Sequence, residues 1–475
     1  MSITSATESS NPFTDPGAYL TGNYAPVADE ITAFDLAVLG ELPAELAGRY
    51  VRNGPNPIAP AQLDPATHHW FVGDGMVHGI RLHEGRAEWY RNRYVGSPAV
   101  SASRGIADVP GPNWSGNGLG PNTSVGGFAG TTWALVEAGG TPVELSYELE
   151  TVGRNDFYGT LPGAYTAHPK FDPATGELHA MAYAWAQWLD HVQYVVVGPD
   201  GRVRHTLDVP LAGMSMIHDM SLTPRWAVVY DQACTVDLDV AFAGRFPFRW
   251  NPDYGCRLGL IPRTGADGFA ATAADIVWVD IPLGYVFHPM NAFDRADGTL
   301  VIDVCNYATM FADDVAGPFG DGLARLERWE IDPDRRTCSV SVVDDTHTEF
   351  PTHRSSVGGR DYRFGYAAAP SADPAAGWPT LKYDLTTGTK RVFDHGPGRA
   401  AGEPVFVPRF GSTDEDDGWL VTFVHDLPAG TAEFVVLDAQ EFDARGYVAR
   451  VPLPQRIPFG FHGNWISDTS VAPPD

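Results

Sequence analysis

Hydrophobic and polar residues alternate along this chain in short runs that end at glycine-containing turns. Three clear examples are Leu82–Tyr90, Val195–Arg204 and Lys382–Val392. Glycine supplies the positive φ that a tight β-hairpin requires. Because such hairpins recur and no 3.6-residue period is sustained, the pattern predicts an all-β protein and favours a β-propeller. Asp416–Val424 followed by Glu433–Asp438 is predicted to be one late blade hairpin.

The composition agrees with one large all-β domain. Of the 475 residues, 44% are hydrophobic and 12% aromatic, which is enough for a large core, and the 51 Gly and 39 Pro indicate many turns between short strands. Residues 1–22 are rich in Ser, Thr, Asn and Pro and are predicted to form a loose N-terminal arm. Since no linker follows, residues 23–475 are predicted to form a single β-propeller domain.

The net charge narrows the possible partners. A formal net charge of −27, without a compensating Lys/Arg run, opposes binding to nucleic acid. The same charge disfavours anionic membranes, so we expect at most weak peripheral membrane contact through an apolar lip such as Ala241–Phe248. No segment approaches the ~20 apolar residues of a membrane-spanning helix.

The N-terminal residues and the cysteines indicate a reducing compartment. The first residues contain neither a basic n-region nor an apolar h-region, so we expect a cytoplasmic location. Cys234, Cys256, Cys305 and Cys338 are dispersed, and we interpret them as reduced thiols rather than a disulfide framework. No obligate protein partner is expected.

Four histidines stand in small, apolar, turn-like segments: His168, His218, His288 and His462. A neutral imidazole in an apolar setting is a good ligand for a transition metal, because few waters compete with it there. The four are far apart along the chain, so only a closed, radially organised fold can bring them together. Four nitrogen ligands without a thiolate favour iron, copper or nickel over a structural zinc, and the residues themselves do not distinguish among these three metals.

Six segments, in order and spanning most of the chain, carry a family resemblance. They are Gly48–Pro57, Trp70–His78, Gly120–Ser124, Ala164–Asp172, Gly402–Pro408 and Pro458–Trp465. Together they resemble the carotenoid cleavage oxygenase family, which includes lignostilbene dioxygenases, from about Tyr24 to Trp465. The resemblance implies a catalytic domain built as a seven-bladed β-propeller with a cap of loops and short helices over the active-site face. It also implies one Fe(II) per chain, non-haem and held by the four histidines alone, with O₂ as co-substrate.

The resemblance also covers residues around the expected metal. Three glutamates match, in order, those that hydrogen-bond to the metal-binding histidines in the family. The implied pairs are Glu137 with His218, Glu349 with His288 and Glu403 with His462, which leaves His168 without a carboxylate. Such a partner fixes the tautomer and the direction of the imidazole ring. Thr123 matches a position whose methyl group leaves O₂ a single coordination site, although an ordinary strand threonine is an equal interpretation.

The implied reaction is oxidative cleavage of a conjugated C=C bond into two aldehyde or ketone products. Candidate residues for an apolar substrate tunnel flank the motifs: Phe71, Val136, Tyr285, Phe287 and Phe461. Stilbene- and phenylpropene-cleaving members carry a lysine immediately before the first of the three glutamates, where this chain has Val136. We therefore expect an apolar polyene substrate, a carotenoid or apocarotenoid, with stilbene or phenylpropene cleavage as the alternative within the family.

Two other classes of propeller protein remain alternatives. In a non-catalytic binding protein, the histidines would merely pack in the core. In a calcium-dependent lactone hydrolase, the ion would require six to eight oxygen ligands, which the four histidines do not provide. Metal analysis distinguishes them, since iron indicates the oxygenase, calcium the hydrolase, and no metal the binding protein.

Overall fold

The computed structural model describes residues 17–114, 120–263, 271–312, 322–371, 373 and 375–468. Residues 1–16 of the expected N-terminal arm lie outside this part. The last residues of that segment pack on the body of the protein, because Tyr19 is buried in a cluster with Trp70 and Phe459. The boundary at residue 22 and the unity of residues 23–475 stay predictions.

The described part of the chain is dominated by short β-strands. They are β1 Thr32–Leu36, β2 Leu39–Gly40, β3 Gly48–Arg52, β4 Met76–His83, β5 Arg86–Tyr94, β6 Ser124–Phe128, β7 Thr131–Leu135, β8 Val143–Leu145, β9 Thr151–Arg154, β10 Lys170–Asp172, β11 Glu177–Ala182, β12 His191–Val197, β13 Val203–Pro210, β14 Met220–Leu222, β15 Trp226–Asp231, β16 Cys234–Val236, β17 Phe248–Trp250, β18 Arg257–Pro262, β19 Val277–Asp280, β20 Tyr285–Asp294, β21 Leu300–Tyr307, β22 Arg325–Asp332, β23 Thr337–Asp344, β24 Glu349–Thr352, β25 Phe364–Ala368, β26 Thr380–Asp384, β27 Thr389–Phe393, β28 Arg399–Ala401, β29 Val405–Pro408, β30 Gly418–Asp426, β31 Thr431–Asp438, β32 Tyr447–Pro452 and β33 Gly463–Ser467. The helices are α1 Pro98–Arg104 and α2 Leu238–Phe242, with 3-10 turns at Ala18–Leu20, Gly22–Tyr24, Pro60–Gln62, Pro252–Tyr254, Ala273–Asp275 and Ser355–Val357.

Seven antiparallel sheets form the blades of a propeller, which confirms the predicted seven-bladed fold. Blades one to five are β6–β9, β10–β13, β14–β15–β18–β19, β20–β23 and β24–β27. Blade six contains β28–β32 with β2 added at its outer edge, and blade seven has the strand order β33–β3–β4–β5–β1. The two-stranded sheet β16–β17 is inserted between β15 and β18 of blade three.

Blade seven closes the ring. Its inner strand β33 comes from the C-terminal end of the chain and pairs antiparallel with β3 from the N-terminal end, with Tyr50 opposite Trp465. On its other side β3 pairs with β4, so that Tyr50 also lies opposite Ile80. Backbone hydrogen bonds between the two ends of the chain therefore complete the propeller and leave no open edge at this joint.

The inner strands of neighbouring blades contact one another around the axis. Contacts link β10, β14, β20 and β24 in one series and β29, β33 and β6 in another. Because every blade repeats the same order from axis to rim, residues at the starts of the inner strands meet at one end of the axis.

The hairpins predicted from glycine-containing turns are confirmed. They fall at β4–β5, β12–β13 and β26–β27, and the late blade hairpin falls at β30–β31. Gly85, Gly201 and Gly388 have φ of 71°, 74° and 67°, which is the left-handed conformation that a residue with a Cβ rarely adopts.

Apolar layers between the blades form the core. Between blades three and four, for example, Tyr230, Val286 and Ile302 pack around Trp329, which is 1% exposed. The four cysteines are free thiols, and Cys338 among them is only partly buried. Such layers remove large apolar areas from water and stabilise the blades against each other.

Loops and short helices cover the end of the axis that carries the site. The insertion in blade three contributes α2 and the segment Phe246–Phe248, and Phe246 packs edge-on against Phe71 from the β3–β4 connection. On α2, Leu238 and Phe242 are 49% and 85% exposed. No helix among the described residues has the length and apolar character needed to cross a membrane.

Candidate metal centre

Four inner strands bring one histidine each to the axis. His168, His218 and His462 lie just before β10, β14 and β33, and His288 lies inside β20. These strands belong to blades two, three, seven and four. Residues far apart along the chain therefore meet because the fold places the starts of its inner strands together.

The four imidazoles form a compact, buried cluster. One ring nitrogen from each histidine lies within 4.8 Å of those of the other three. The Nε2 atoms of His218 and His288 are 3.2 Å apart. All four residues are less than 9% exposed. This convergence of nitrogen lone pairs in a dry setting is the donor set that a transition metal requires.

Each of three histidines has a glutamate at its other ring nitrogen. The distances from Nδ1 to the nearest carboxylate oxygen are 3.0 Å for His218 and Glu137, 2.5 Å for His288 and Glu349, and 3.0 Å for His462 and Glu403. A carboxylate accepts, so Nδ1 carries the proton and the Nε2 lone pair is directed to the axis. These are the same pairs that the resemblance implies.

The glutamates complete the set of blades that contribute to the site. Glu137 follows β7 of blade one, Glu349 begins β24 of blade five, and Glu403 lies just before β29 of blade six. Two of them are held by backbone groups as well: Phe350 donates its N–H to Glu349 at 2.9 Å, and Gly463 donates to Glu403 at 2.7 Å. The backbone thus helps to fix the carboxylates of Glu349 and Glu403.

His168 differs from the other three. Among the residues that the structure describes, no glutamate lies at its Nδ1, and the nearest carboxylate oxygen is Oδ2 of Asp219 at 4.0 Å. Its Nε2 atom is buried and has no hydrogen-bond partner among the described residues. An orphaned nitrogen costs free energy in a dry site unless something binds it. A cation among the four Nε2 atoms would satisfy it, and the residues present therefore fit a metal.

Burial favours the neutral form of two of the imidazoles. Burial, followed by the neighbouring imidazoles, lowers the pKa of His168 and His288 well below the usual value of 6.5. Burial also acts to lower the pKa of His218, but the adjacent Glu137 carboxylate outweighs it and raises that pKa. Burial raises the pKa of Glu349 to about 6. A bound cation would take the place of the proton that Glu137 otherwise favours on His218.

An apolar cavity of about 240 Å³ opens on one side of the cluster. His218, His288 and His462 line this cavity, and His168 together with His462 lines a second, more polar cavity of about 760 Å³. Thr123 lies in the wall of the apolar cavity, and its hydroxyl donates to Oδ1 of Asn122 at 3.0 Å.

Four of the five residues expected in a substrate tunnel line the apolar cavity: Phe71, Val136, Phe287 and Phe461. Tyr285 does not. Its hydroxyl donates to the backbone carbonyl of Met216 at 3.1 Å, and its ring packs behind that of Phe287 at 4.8 Å between centroids. A polar group that finds its partner in the core keeps this side chain away from the cavity.

Sequence reasoning missed several lining residues, which are Tyr183, Met216, Phe246, Phe248 and Phe350. Met216 and Phe350 each lie close along the chain to a site residue, His218 and Glu349, and proximity to a motif was the one available signal. Tyr183 directly follows β11 in blade two, and Phe246 and Phe248 belong to the insertion in blade three. Only the packing of these segments brings the three side chains to the cavity.

The chain matches one family model and is similar in sequence to proteins of known family. A family model described as RPE65, retinal pigment epithelial membrane protein, matches residues 24–467. The chain is 41% identical to a carotenoid cleavage oxygenase of Mycobacterium tuberculosis over 99% of this chain and 100% of that protein. It is 31% identical to a 9-cis-epoxycarotenoid dioxygenase of Arabidopsis thaliana over 96% of this chain and 83% of that protein.

Solved structures of similar fold include enzymes that are named as oxygenases. The lignostilbene dioxygenase of Pseudomonas brassicacearum superposes with a TM-score of 0.84 at 29% identity, covering 95% of this chain and 98% of that one. The cobalt-substituted apocarotenoid oxygenase of Synechocystis superposes with a TM-score of 0.80 at 26% identity, covering 93% and 97%.

The fold and the site define a seven-bladed propeller with a buried four-histidine cluster on its axis that could hold a metal ion. The chain belongs to the carotenoid cleavage oxygenase family, to which RPE65 also belongs. The expected family and the expected class of oxidoreductase are thereby confirmed.

Proposed function

We propose that this protein is a non-haem Fe(II)-dependent oxygenase that cleaves a conjugated C=C bond of a carotenoid or apocarotenoid with O₂, giving aldehyde or ketone products. The main support for this proposal is the cluster of four buried imidazoles beside an apolar cavity. His168, His218, His288 and His462 would hold one Fe(II), which when bound supplies the binding and activation of O₂.

The three glutamates orient the ligands and balance charge. Each accepts the Nδ1–H of one histidine, which fixes the tautomer and makes the imidazole a stronger donor. Together, Glu137, Glu349 and Glu403 place three anionic groups around a divalent cation with neutral ligands, which favours higher oxidation states of the metal.

The apolar cavity would bind the substrate next to the metal. Phe71, Phe287 and Phe461 form its walls, and burial of roughly 400 Å² of polyene at ~25 cal/mol per Å² contributes on the order of 10 kcal/mol before association costs. Such contacts hold an apolar chain without a charged anchor. The tight aromatic enclosure also excludes water from the reacting bond.

Two polar side chains in the cavity wall, Asn122 and Thr123, are already engaged in hydrogen bonds. The Asn122 amide donates to the backbone carbonyls of Phe71 and Gly73 at 3.0 Å and 2.9 Å. Thr123 donates to Asn122, and we infer that its methyl group limits the space beside the metal, so that O₂ finds one site. This wall favours an apolar substrate over a phenolic one.

An apolar lip adjoins the residues that line the cavity. Leu238 and Phe242 on α2 are exposed, and Phe246 and Phe248 a few residues further on line the cavity. We infer weak contact of this lip with an apolar surface, from which a water-insoluble polyene enters.

Stilbene cleavage is the second candidate function. The overall similarity to a lignostilbene dioxygenase favours it, whereas Val136 in the cavity wall argues for the polyene. An amine at this position would bind a phenol oxygen, and valine provides no donor.

Metal analysis and turnover test the proposal. Purified protein is assayed for iron, calcium and other metals per chain, and then incubated aerobically with an apocarotenal or with a hydroxystilbene, with product masses to locate the broken bond. We expect about one iron per chain and aldehyde products from the apocarotenal. Cleavage of the hydroxystilbene alone would select the second candidate, and a chain that binds no metal and cleaves neither would be a binding protein.

A further inference from the structure

The asymmetry of the four histidines has a structural cause close to His168. Oδ2 of Asp219 lies 4.0 Å from Nδ1 of His168, about 1 Å too far for a hydrogen bond. Asp219 is buried, with 3% of its side chain exposed, so it is a carboxylate poised beside the one histidine that lacks a carboxylate partner.

Lys170 forms a hydrogen bond with Oδ2, the Asp219 oxygen that lies nearest to His168. Its Nζ donates to Oδ2 of Asp219 at 2.8 Å, and the backbone N–H of Met220 donates to Oδ1 at 2.6 Å. Both carboxylate oxygens of Asp219 are therefore already hydrogen-bonded, and Oδ2 stays outside hydrogen-bond range of His168.

The pair is built into two neighbouring inner strands. Lys170 begins β10, two residues after His168, and Asp219 lies between His218 and the start of β14. The ion pair thus joins blades two and three at the axis, and each partner lies within two residues of one of the four histidines. Lys170 also lines the polar cavity that His168 lines, and its side chain is 30% exposed.

The Lys170–Asp219 ion pair affects the total charge around the metal site. Glu137, Glu349 and Glu403 place three negative charges around the site, and a free Asp219 would add a fourth. The ammonium of Lys170 neutralises that fourth charge. A carboxylate partner raises the basicity of a ligating imidazole, so its absence leaves His168 the weakest donor of the four.

We propose that Lys170 and Asp219 are positioning residues of the metal centre: Lys170 holds the Asp219 carboxylate off His168, and so keeps one of the four ligands weak and the charge around the cation limited to three glutamates. This inference rests on the proposed four-histidine metal site. It assigns the pair a role in metal affinity that a simple structural ion pair would not have.

The test is a double-mutant cycle of Lys170→Met and Asp219→Asn, with Co²⁺ and Fe²⁺ affinities of the apo-protein measured by competition with a chromophoric chelator under argon. Lys170→Met frees Asp219 to accept the Nδ1–H of His168, and we expect Co²⁺ to bind about 10-fold more tightly. Asp219→Asn leaves an unpaired ammonium near the cation, and we expect about 10-fold weaker binding. The double variant removes both charges, and its Kd is expected within about 3-fold of wild type.

The opposite signs of the two single variants distinguish the proposal from a structural role. An ion pair that merely joins two blades predicts that both variants weaken binding or that neither changes it, and either result would overturn the proposal. The Co²⁺ absorption spectrum is a second readout, expected to shift in Lys170→Met and to return in the double variant.

Lys390→Met is the matched control. Lys390 pairs with Asp344 at 2.7 Å, its side chain is 28% exposed, and it lies on β27, outside the inner strands. Its loss should leave the Co²⁺ affinity unchanged. If wild-type protein itself binds neither metal, the proposed function fails; if wild type binds and Lys170→Met does not tighten binding, only the role of the pair fails.

Discussion

Glu403 fixes both the ring of His462 and the start of the strand that follows it. Its Oε1 lies 3.0 Å from Nδ1 of His462, and its Oε2 accepts the backbone N–H of Gly463 at 2.7 Å. One carboxylate from blade six thereby sets the direction of a ligand from blade seven. The orientation of the His462 imidazole therefore depends on how blades six and seven pack together, and not only on the sequence around the histidine.

This relationship predicts the effect of Glu403→Gln. A glutamine offers one acceptor where two N–H groups require two, so its amide nitrogen must face one of them. We expect Fe(II) to bind about 10 to 100-fold more weakly, since loss of such a partner has effects of that size. Chelator competition on the purified variant measures this change.

Glu433→Gln serves as its control. Glu433 lies on β31 in the same blade and pairs with Arg399 at 2.8 Å, away from the axis. It should leave Fe(II) affinity unchanged. Equal affinities for wild type and Glu403→Gln, both folded by circular dichroism, would show that the carboxylate does not support the metal.

Replacement of a histidine of the cluster is expected to reduce iron binding more than Glu403→Gln does. His168→Ala removes one of four nitrogens and leaves a void at the axis, so we expect loss of most bound iron and of turnover. His395→Ala is the control, because His395 is equally buried but pairs with Thr380 and Tyr447. Full iron content and wild-type activity in His168→Ala would remove that residue from the site.

The sequence predicts the fold and the histidines for a physical reason. Strand alternation and turn glycines are local, and so is the apolar setting of His218 or His462. The direction of a side chain relative to a cavity is not local, because it depends on how blades and cap pack. Tyr285 and Phe287 are two positions apart on β20, so the strand pattern treats them alike, yet only Phe287 lines the cavity. Asp219 was overlooked for the same reason, since its contact with Lys170 joins two blades.

A buried neutral histidine away from the axis predicts how stability depends on pH. Burial lowers the pKa of His395 to about 3. An unfolded histidine takes up a proton below about pH 6.5, and the folded His395 does not. His395 therefore contributes stability that is fully present above pH 6.5 and is lost as the pH falls toward the folded pKa, by about 1.4 kcal/mol per pH unit.

Urea unfolding of wild type and His395→Gln between about pH 7 and about pH 5 measures this effect. The free energy of unfolding should fall less steeply with acidification in the variant, by the contribution of one histidine. Since all other groups are shared, the difference between the two slopes reports His395 alone. Identical slopes would mean that His395 is protonated in the folded protein.

The last prediction concerns the substrate and Val136. This residue lines the apolar cavity and directly precedes Glu137, whose carboxylate lies 3.0 Å from His218. Val136→Lys places an ammonium where the wall is apolar. A charge-assisted hydrogen bond to a phenol oxygen is worth ~1.5–3 kcal/mol, so kcat/KM for a hydroxystilbene should rise about 10 to 100-fold. The same ammonium must be desolvated against a polyene, so kcat/KM for an apocarotenal should fall.

Val136→Met is the control, because methionine has a similar unbranched stem without the charge. It should change both substrates little, and the ratio of the two kcat/KM values in one detergent buffer then isolates the contribution of the ammonium. Wild-type protein should prefer the apocarotenal. If wild type already prefers the hydroxystilbene, or if Val136→Lys leaves the ratio where Val136→Met leaves it, residue 136 does not select the substrate, whereas the four-histidine centre is unaffected by that result.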